Sequence, residues 1–136
     1  MDPYLSVIIP AYNEEKRIGS TIQSVLIYLE KQNYSYEIIV VDDCSRDTTR
    51  KILNEWKARS GKIRLIHNSI NKGKGYSVRE GILEAKGDYR LFMDADSSTS
   101  IDHLSLLLPY FEKGYDIVIG SRKIAGSKLT IKQSPV

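Results

Sequence analysis

Hydrophobic positions along the chain follow two alternating patterns, and each pattern predicts one kind of element. Short, mostly apolar runs indicate buried strands, and β-branched residues such as those at 38–41 strengthen this prediction. Five such runs are present, at residues 5–9, 37–41, 63–66, 89–93 and 116–119. Pro10 follows the first run and is expected to end that strand.

Between these runs, apolar residues recur every three or four positions, which predicts helices that bury one face. The second helix is expected to start near Asp47, and Gly87 is placed to cap the end of the third. The apolar positions of the four predicted helices are Ile18, Ile22, Val25, Leu26 and Leu29; Ile52, Leu53 and Trp56; Val78, Ile82, Leu83 and Ala85; and Ile101, Leu104, Leu107, Leu108 and Phe111.

The repeated order of strand and helix predicts an α/β fold, a mostly parallel sheet with helices on both faces. The chain has 136 residues, which is the length of one ordinary domain. We therefore expect residues 1–136 to form a single domain.

The amino-acid composition limits which metal sites and ligands the chain could have. The single cysteine, Cys44, excludes an internal disulfide, and two histidines are too few for a histidine-built metal centre. A metal would have to be held by carboxylates, which favours magnesium, manganese or calcium. The net charge of +3 does not indicate nucleic-acid binding. Its local excess at residues 122–132 is either a solvated surface or a site for an anionic substrate or an acidic membrane.

The sequence contains no apolar run near the ~20 residues that a membrane span needs. Its first residues lack the basic start and long apolar stretch of a signal peptide. A cytoplasmic location is therefore expected, with peripheral association at the cytoplasmic face of a membrane as a further possibility.

The polar residues best suited to catalysis or ligand binding follow the predicted strands. In an open parallel sheet, ligands bind beyond the carboxyl ends of the strands, so these segments are expected to meet in one site. The segments are Pro10-Ala11-Tyr12-Asn13-Glu14, Asp42-Asp43, Asp94-Ala95-Asp96 and Gly120-Ser121-Arg122.

Asp94 and Asp96 flank the small residue Ala95 directly after the fourth strand. Two carboxylates at this spacing can reach one hard cation, and the small residue leaves room for a diphosphate. The alternative is that one aspartate caps the following helix. Ser98, Thr99 and Ser100 offer other caps nearby, which weakens that alternative.

Asp42 and Asp43 end the second strand, and we expect one of them to contact a ligand and the other to have a structural role. Tyr12 is a candidate to pack against a base. Glu14 is a candidate to bind the nucleoside, although an acidic residue also suits the first turn of a helix.

Two basic segments are candidates for phosphate contacts. The turn NKGKG, with Gly73 and Lys74, can place backbone N–H groups and a helix N-terminus against phosphate, or it is simply a turn. It matches neither a P-loop nor a complete dinucleotide fingerprint. Arg122 has the guanidinium geometry for phosphate, and its alternative is an exposed surface position.

Three stretches of this sequence, in this order, resemble the family 2 glycosyltransferases. They are VIIPAYNEE, IIVVDDCSRDTT and NKGKGYSVREGILEAKGDYRLFMDAD. The Gly-Lys-Gly turn, the Asp-Ala-Asp-Ser and the Gly-Ser-Arg are most similar to dolichyl-phosphate glucosyltransferases and other polyprenyl-phosphate glycosyltransferases of that family.

The resemblance implies a GT-A fold and an inverting transfer of a hexose from a nucleotide sugar. UDP-glucose is favoured as donor and GDP-mannose is the alternative. The acceptor would be a polyprenyl or dolichyl phosphate. Pro10, Ala11, Tyr12 and Glu14 would line the nucleoside pocket, and Asp42 would contact the base or ribose. Asp94 and Asp96 would hold Mg²⁺ or Mn²⁺ on the diphosphate, with Asp96 and Arg122 as the catalytic residues and Arg122 near the acceptor's phosphate.

Two departures accompany the resemblance. Cys44 stands where these proteins usually have glycine, and such enzymes continue well past the length of this chain. The acceptor-side segment is therefore expected to be absent, and a non-catalytic fragment that binds nucleotide is an alternative. Three other classes also fit part of the pattern: a haloacid-dehalogenase-type phosphatase, a receiver-like signalling domain and a nucleotidyltransferase.

Overall fold

The computed structural model describes residues 1–121, and its centre is a four-stranded parallel sheet with strand order β3-β2-β1-β4. The strands are β1 (Leu5–Ala11), β2 (Tyr36–Asp42), β3 (Ile63–His67) and β4 (Tyr89–Phe92). The helices are α1 (Ile18–Glu30), α2 (Thr49–Arg59), α3 (Lys74–Glu84) and α4 (Leu104–Glu112), the last preceded by a single 3₁₀ turn (Ile101–His103). This order confirms the parallel α/β fold that the hydrophobic pattern predicts.

Every residue of the two central strands, β1 and β2, is buried, so both faces of the sheet must be covered. Ile8, Ile39 and Val41 point to one face, where Ile82 and Ala85 at the end of α3 pack against them. The right-handed crossover rule places α1 and α2 on the opposite face, where α2 contacts β2 and β3 and the two helices contact each other. This arrangement follows from right-handed crossovers, because the chain reverses direction across the sheet after β3.

The strand β1 is longer than predicted, since it continues through Pro10 to Ala11. Successive residues of a strand direct their backbone N–H and C=O groups to opposite sides. Ala11 and Ile9 face β2, so the backbone groups of Pro10 face β4. Pairing with β4 ends at Ile8 in register, and the missing N–H of Pro10 therefore leaves no ladder bond unmade. The expectation that Pro10 ends the strand is wrong for this reason.

Gly87 does not cap α3, which ends in an extended residue at Ala85. Gly87 instead lies against β1, where its N–H donates to Ser6 Oγ at 2.8 Å. A Cβ at this position would lie 2.6 Å from the backbone nitrogen of Ser6. The glycine is required by this close approach between two chain segments.

The structure also differs from the prediction at one strand and at one helical residue. Residues 116–119 form no strand, and Ile117 and Ile119 are 77% and 80% exposed. A strand exists only through its ladder bonds, and no strand pairs with this segment in the described part of the chain. Leu83 was expected on the buried face of α3 but is exposed.

Chain contacts divide the protein into two compact units, residues 1–101 and a second unit that begins at Asp102. The first unit contains the whole sheet and the helices α1 to α3. The second contains α4, whose buried residue is Leu104. A single domain over residues 1–136 stays a prediction.

Candidate functional site

A cleft of about 400 Å³ lies beyond the carboxyl ends of β1, β2 and β4, within the first unit. It is lined by Pro10, Ala11, Tyr12, Glu14, Asp43, Asn71, Gly73, Lys74, Ser77, Asp94, Ala95 and Asp96. The structure thus brings together the predicted site residues from three strand ends and the basic turn. Of the other predicted site residues, Asp42 does not line the cleft, and Arg122 lies outside the described residues.

Asp43 organises one wall of this cleft. Its Oδ1 accepts hydrogen bonds from Asn68 Nδ2 at 2.9 Å and from the N–H of Lys72 at 2.8 Å. Its Oδ2 accepts a third from the N–H of Gly73 at 2.8 Å. Burial alone would raise the pKa of Asp43, but these hydrogen bonds to the carboxylate outweigh it and the pKa is lowered. Asp43 is therefore held ionised against the basic turn.

The same contacts revise how the turn NKGKG acts. The N–H groups of Lys72 and Gly73, expected to face a phosphate, are donated to Asp43 instead. The carboxylate occupies the anion position that the turn offers. Asn71, Gly73 and Lys74 of the turn still line the cleft, and Lys74 brings a positive charge to it.

Asp42 is turned away from the cleft and is 1% exposed. Its Oδ1 accepts from the N–H of Ser45 at 3.2 Å, and its Oδ2 lies 3.2 Å from His67 Nδ1. The structural role expected for one member of the pair therefore suits Asp42, and the ligand contact suits Asp43. Contact of either residue with a base or ribose stays a prediction.

Asp94 and Asp96 project into the cleft from the loop after β4, with side chains 41% and 37% exposed. Lys74 Nζ donates to Asp94 Oδ1. Asp96 Oδ1 accepts from the N–H of Ser98 at 2.9 Å, and its Oδ2 lies 3.9 Å from Arg17 Nη1. The hydrogen bond from Ser98, followed by the nearby Arg17 charge, lowers the pKa of Asp96. Asp96 is therefore held as an anion beside the ion pair of Asp94 and Lys74.

The loop that carries this acidic pair is fixed to α1. Thr21 Oγ1 donates to the carbonyl oxygen of Ala95 at 2.6 Å and lies 2.9 Å from Ser97 Oγ. Ser97 adopts a left-handed conformation, with φ of 54°. These contacts turn the loop sharply after Ala95, so that the carboxylates on either side of it face the cleft.

The donor set fits a hard divalent cation. Carboxylate oxygens are the ligands that Mg²⁺ and Mn²⁺ prefer, and the partial exposure of both aspartates leaves room for phosphate and water oxygens. Within residues 1–121, no three histidine, cysteine or acidic side chains converge on one point. The arrangement therefore suits an ion shared between Asp94, Asp96 and a phosphorylated ligand, rather than an ion enclosed by protein alone.

The side of the cleft next to β1 and β2 is held by a two-way contact between the segments that follow these strands. The N–H groups of Asn13 and Glu14 donate to Ser45 Oγ at 3.0 Å and to Thr49 Oγ1 at 2.8 Å. In return, the N–H of Arg46 donates to Asn13 Oδ1 at 2.8 Å. This contact fixes the loop that presents Tyr12, whose ring is exposed.

Sequence reasoning missed three residues of the site. Asn71 and Ser77 line the cleft, and Arg17 connects its acidic residues by contacting Glu14 as well as Asp96. Arg17 Nη2 lies 2.7 Å from Glu14 Oε2. Its position three residues after Glu14 is the spacing of a helical ion pair, a signal that was available in the sequence.

Solved structures with the same fold include two that contain bound nucleotide sugars. The mannosyltransferase PcManGT from Pyrobaculum calidifontis, in complex with GDP-Man and Mn²⁺, is 26% identical with a TM-score of 0.60; the match covers 71% of this chain and 28% of that one. Residues 1–349 of TarS from S. aureus, in complex with UDP-GlcNAc, are 33% identical with a TM-score of 0.59; the match covers 71% of this chain and 27% of that one. The fold and the site define a protein of the GT-A class.

A profile described as "Glycosyl transferase family 2" matches residues 6–135. The chain belongs to glycosyltransferase family 2, as its motifs imply. This membership decides against the phosphatase, receiver and nucleotidyltransferase alternatives.

Curated relatives with similar sequences include two of the same description. A dolichyl-phosphate beta-glucosyltransferase of Dictyostelium discoideum is 38% identical over 143 residues, covering 96% of this chain and 44% of the relative. One of Homo sapiens is 41% identical over 117 residues, covering 81% of this chain and 35% of the relative. The chain spans less than half the length of these relatives.

None of the helices within residues 1–121 is long and apolar enough to cross a bilayer.

Proposed function

We propose that this chain forms the donor-binding part of an inverting glycosyltransferase that moves glucose from UDP-glucose to dolichyl phosphate or a similar polyprenyl phosphate. One observation carries the proposal: Asp94 and Asp96 share a cleft with Lys74 and with the fixed loop that presents Tyr12. The cleft thus combines a place for a metal-bound diphosphate with a wall suited to a nucleoside.

The donor would lie across the cleft with its base toward β1 and β2 and its diphosphate toward β4. Tyr12 would pack against the base, and Asp43 and Glu14 would face the base or ribose. Asp94 and Asp96 would hold Mg²⁺ or Mn²⁺, which offsets the charge that develops on the departing diphosphate. Mn²⁺ in the structure of PcManGT supports a divalent ion without choosing between the two metals.

The acceptor's phosphate oxygen would attack the anomeric carbon, and the bond from that carbon to the donor's diphosphate would break. The electron pair leaves with UDP, and an α-linked donor yields a β-linked product. An ionised phosphate needs no general base for this attack. The four carboxylates that line the cleft are consistent with this, because each is held by an ion pair or hydrogen bond within the protein.

The names of the curated relatives support glucose and dolichyl phosphate, and TarS with UDP-GlcNAc supports a uridine nucleotide. These names do not favour the alternative of a GDP-mannose-dependent mannosyltransferase. A lipid acceptor would bring the site to the cytoplasmic face of a membrane. Arg122 is proposed to approach the acceptor's phosphate.

Calorimetric titration with UDP-glucose and with GDP-mannose, each with Mn²⁺ and with EDTA, tests the donor. We expect UDP-glucose to bind in Mn²⁺ and EDTA to weaken that binding. Tighter binding of GDP-mannose would replace the uridine donor in this proposal. Absence of binding to both nucleotide sugars would contradict a donor site in this chain.

Asp96→Ala tests the metal role within the same titration. Loss of one of two carboxylate ligands should weaken Mn²⁺-dependent binding of UDP-glucose by more than about tenfold. Asp88→Ala is the matched control, because Asp88 is exposed and lies outside the cleft lining. Unchanged Mn²⁺-dependent binding in Asp96→Ala would show that the pair does not hold the metal.

A further inference from the structure

Each carboxylate of the acidic pair has a basic side chain beside it. Lys74 Nζ donates to Asp94 Oδ1, and Arg17 Nη1 lies 3.9 Å from Asp96 Oδ2. The two basic residues come from different parts of the fold, Lys74 from the start of α3 and Arg17 from the residue before α1. Lys74 therefore offsets the charge of Asp94 where a divalent cation would bind, and Arg17 is shared between Asp96 and Glu14.

The two basic side chains differ in how firmly they are held. Arg17 also contacts Glu14, through Nε at 2.8 Å and Nη2 at 2.7 Å. Lys74 has Asp94 as its ion-pair partner, and its side chain is 61% exposed. Its backbone is fixed because Asp43 holds the turn just before it. Lys74 can therefore change partners by rotating its side chain while its backbone stays in place.

We propose that Lys74, assisted by Arg17, acts as an internal counter-ion that disfavours a divalent cation at Asp94 and Asp96 until the donor's diphosphate is present. A cation alone must displace Lys74 from Asp94 and then lie beside the unpaired charge of Lys74, with the charge of Arg17 also nearby. A diphosphate that arrives with the cation restores the balance, because it supplies negative oxygens to which Lys74 can turn. Metal and nucleotide would then bind with positive coupling.

This inference rests on the proposed donor site, but its first consequence concerns the metal alone. Removing the charge of Lys74 should make Mn²⁺ bind more tightly in the absence of nucleotide. An exposed ion pair of this kind corresponds to a change of about fivefold in affinity. Linkage requires that UDP raise Mn²⁺ affinity by the same factor as Mn²⁺ raises UDP affinity, and that factor should fall in the same variant.

Electron paramagnetic resonance of free Mn²⁺ gives the dissociation constant with and without saturating UDP. The variants are Lys74→Met, which removes the charge, and Lys74→Arg, which keeps it. Lys51→Met is the matched control, since Lys51 is an exposed helical lysine in α2, outside the cleft lining. Thermal unfolding of each variant verifies that the fold is retained.

We expect Lys74→Met to bind Mn²⁺ about fivefold more tightly without UDP and to show a smaller enhancement by UDP. Lys74→Arg and Lys51→Met should resemble the original protein. Equal or weaker Mn²⁺ binding by Lys74→Met overturns the inference, including the case in which neither protein binds Mn²⁺ at millimolar concentration. Equal behaviour of the Met and Arg variants also overturns it, because charge would then not be the cause.

The measurements with and without UDP distinguish failure of this inference from failure of the proposed function. If Lys74→Met tightens Mn²⁺ binding but UDP has no effect on any variant, the counter-ion is present and the donor assignment fails. If UDP enhances Mn²⁺ binding equally in the original protein and in Lys74→Met, the donor assignment stands and the counter-ion inference fails.

Discussion

At the carboxyl end of β2, Asp43 is 3% exposed yet charged, because three N–H donors replace the water that its carboxylate loses. Hydrogen bonds to an ionised group contribute more than those between neutral groups. The residue therefore links β2 to the turn that carries Lys74, and its charge is part of the fold as well as of the cleft.

Asp43→Asn should lower the free energy of unfolding by about 2 kcal/mol at neutral pH, because an amide cannot accept from all three donors. The pKa of Asp43 in the folded protein lies below its ordinary value of 3.8. Its contribution is therefore complete above pH 3.8 and is lost as the pH falls through the folded pKa. Urea denaturation from neutral to acid pH should show the difference between the two proteins shrinking in acid.

The control for this series is Asp88→Asn, which changes an exposed aspartate outside the cleft. Its unfolding free energy should stay within about 0.5 kcal/mol of the original protein. A difference between Asp43→Asn and the original protein that does not shrink in acid would mean that the charge of Asp43 is not what stabilises the turn.

Cys44, the next residue, has φ of 63°, a conformation that disfavours residues with a Cβ. Left-handed backbone costs about 1–2 kcal/mol in a non-glycine residue, and the unfolded-state entropy of glycine offsets about 0.5–1 of this. Cys44→Gly should therefore be more stable than Cys44→Ala by up to about 1 kcal/mol. Chemical denaturation compares the two, and both lack the contact of Sγ with the carbonyl of Ser69. An alanine variant at least as stable as the glycine variant would contradict the strain.

At the scale of the elements, the position of α3 depends on Gly81. A Cβ there would lie 2.4 Å from Ile8 Cγ2 and 3.3 Å from Val41 Cγ2, both in the buried face of the sheet. The helix can approach the strands this closely because the glycine has no side chain. This approach also sets where Lys74, at the other end of α3, meets the cleft.

Gly81→Ala should destabilise the protein by about 1–3 kcal/mol, because the added methyl group forces α3 or Ile8 to shift. Gly75→Ala in the same helix is the control, since a Cβ there meets nothing within 4 Å. Better helix propensity should make that variant more stable, by up to about 1 kcal/mol. Thermal unfolding that ranks the two variants equally would show that α3 is not seated by Gly81.

At the scale of the whole molecule, ligand binding is expected to raise the free energy of unfolding. The cleft is formed only when the ends of β1, β2 and β4 lie together in the folded sheet. A ligand in the cleft therefore binds the folded state in preference to the unfolded chain. UDP-glucose with Mn²⁺, at ~100 times its dissociation constant, should add ~2.7 kcal/mol to the free energy of unfolding. EDTA should remove most of this gain.

Thermal denaturation with each component alone completes this measurement. Mn²⁺ without nucleotide should shift the midpoint little, since Lys74 already offsets the charge of Asp94. A full shift with Mn²⁺ alone, unchanged by adding UDP-glucose, would contradict a shared metal and donor site.

The sequence by itself determined the α/β architecture, four of the five predicted strands, and the position of the acidic and basic segments at strand ends. These are local properties: β-branched runs, helical spacing and the residues that follow each run are visible within a short window. The rule for parallel sheets then places them on one edge. Most of the cleft lining could be predicted in this way.

Only the tertiary structure decided what depends on partners far apart in the chain. Asp42 and Asp43 are adjacent in sequence, yet the partners that distinguish them lie about 25 residues away, at His67 and at Asn68. Gly87 contacts β1 instead of capping α3. Residues 116–119 have the composition of a strand but have no pairing partner in the described chain. Close approach and ladder bonds are relations between segments, so no local pattern contains them.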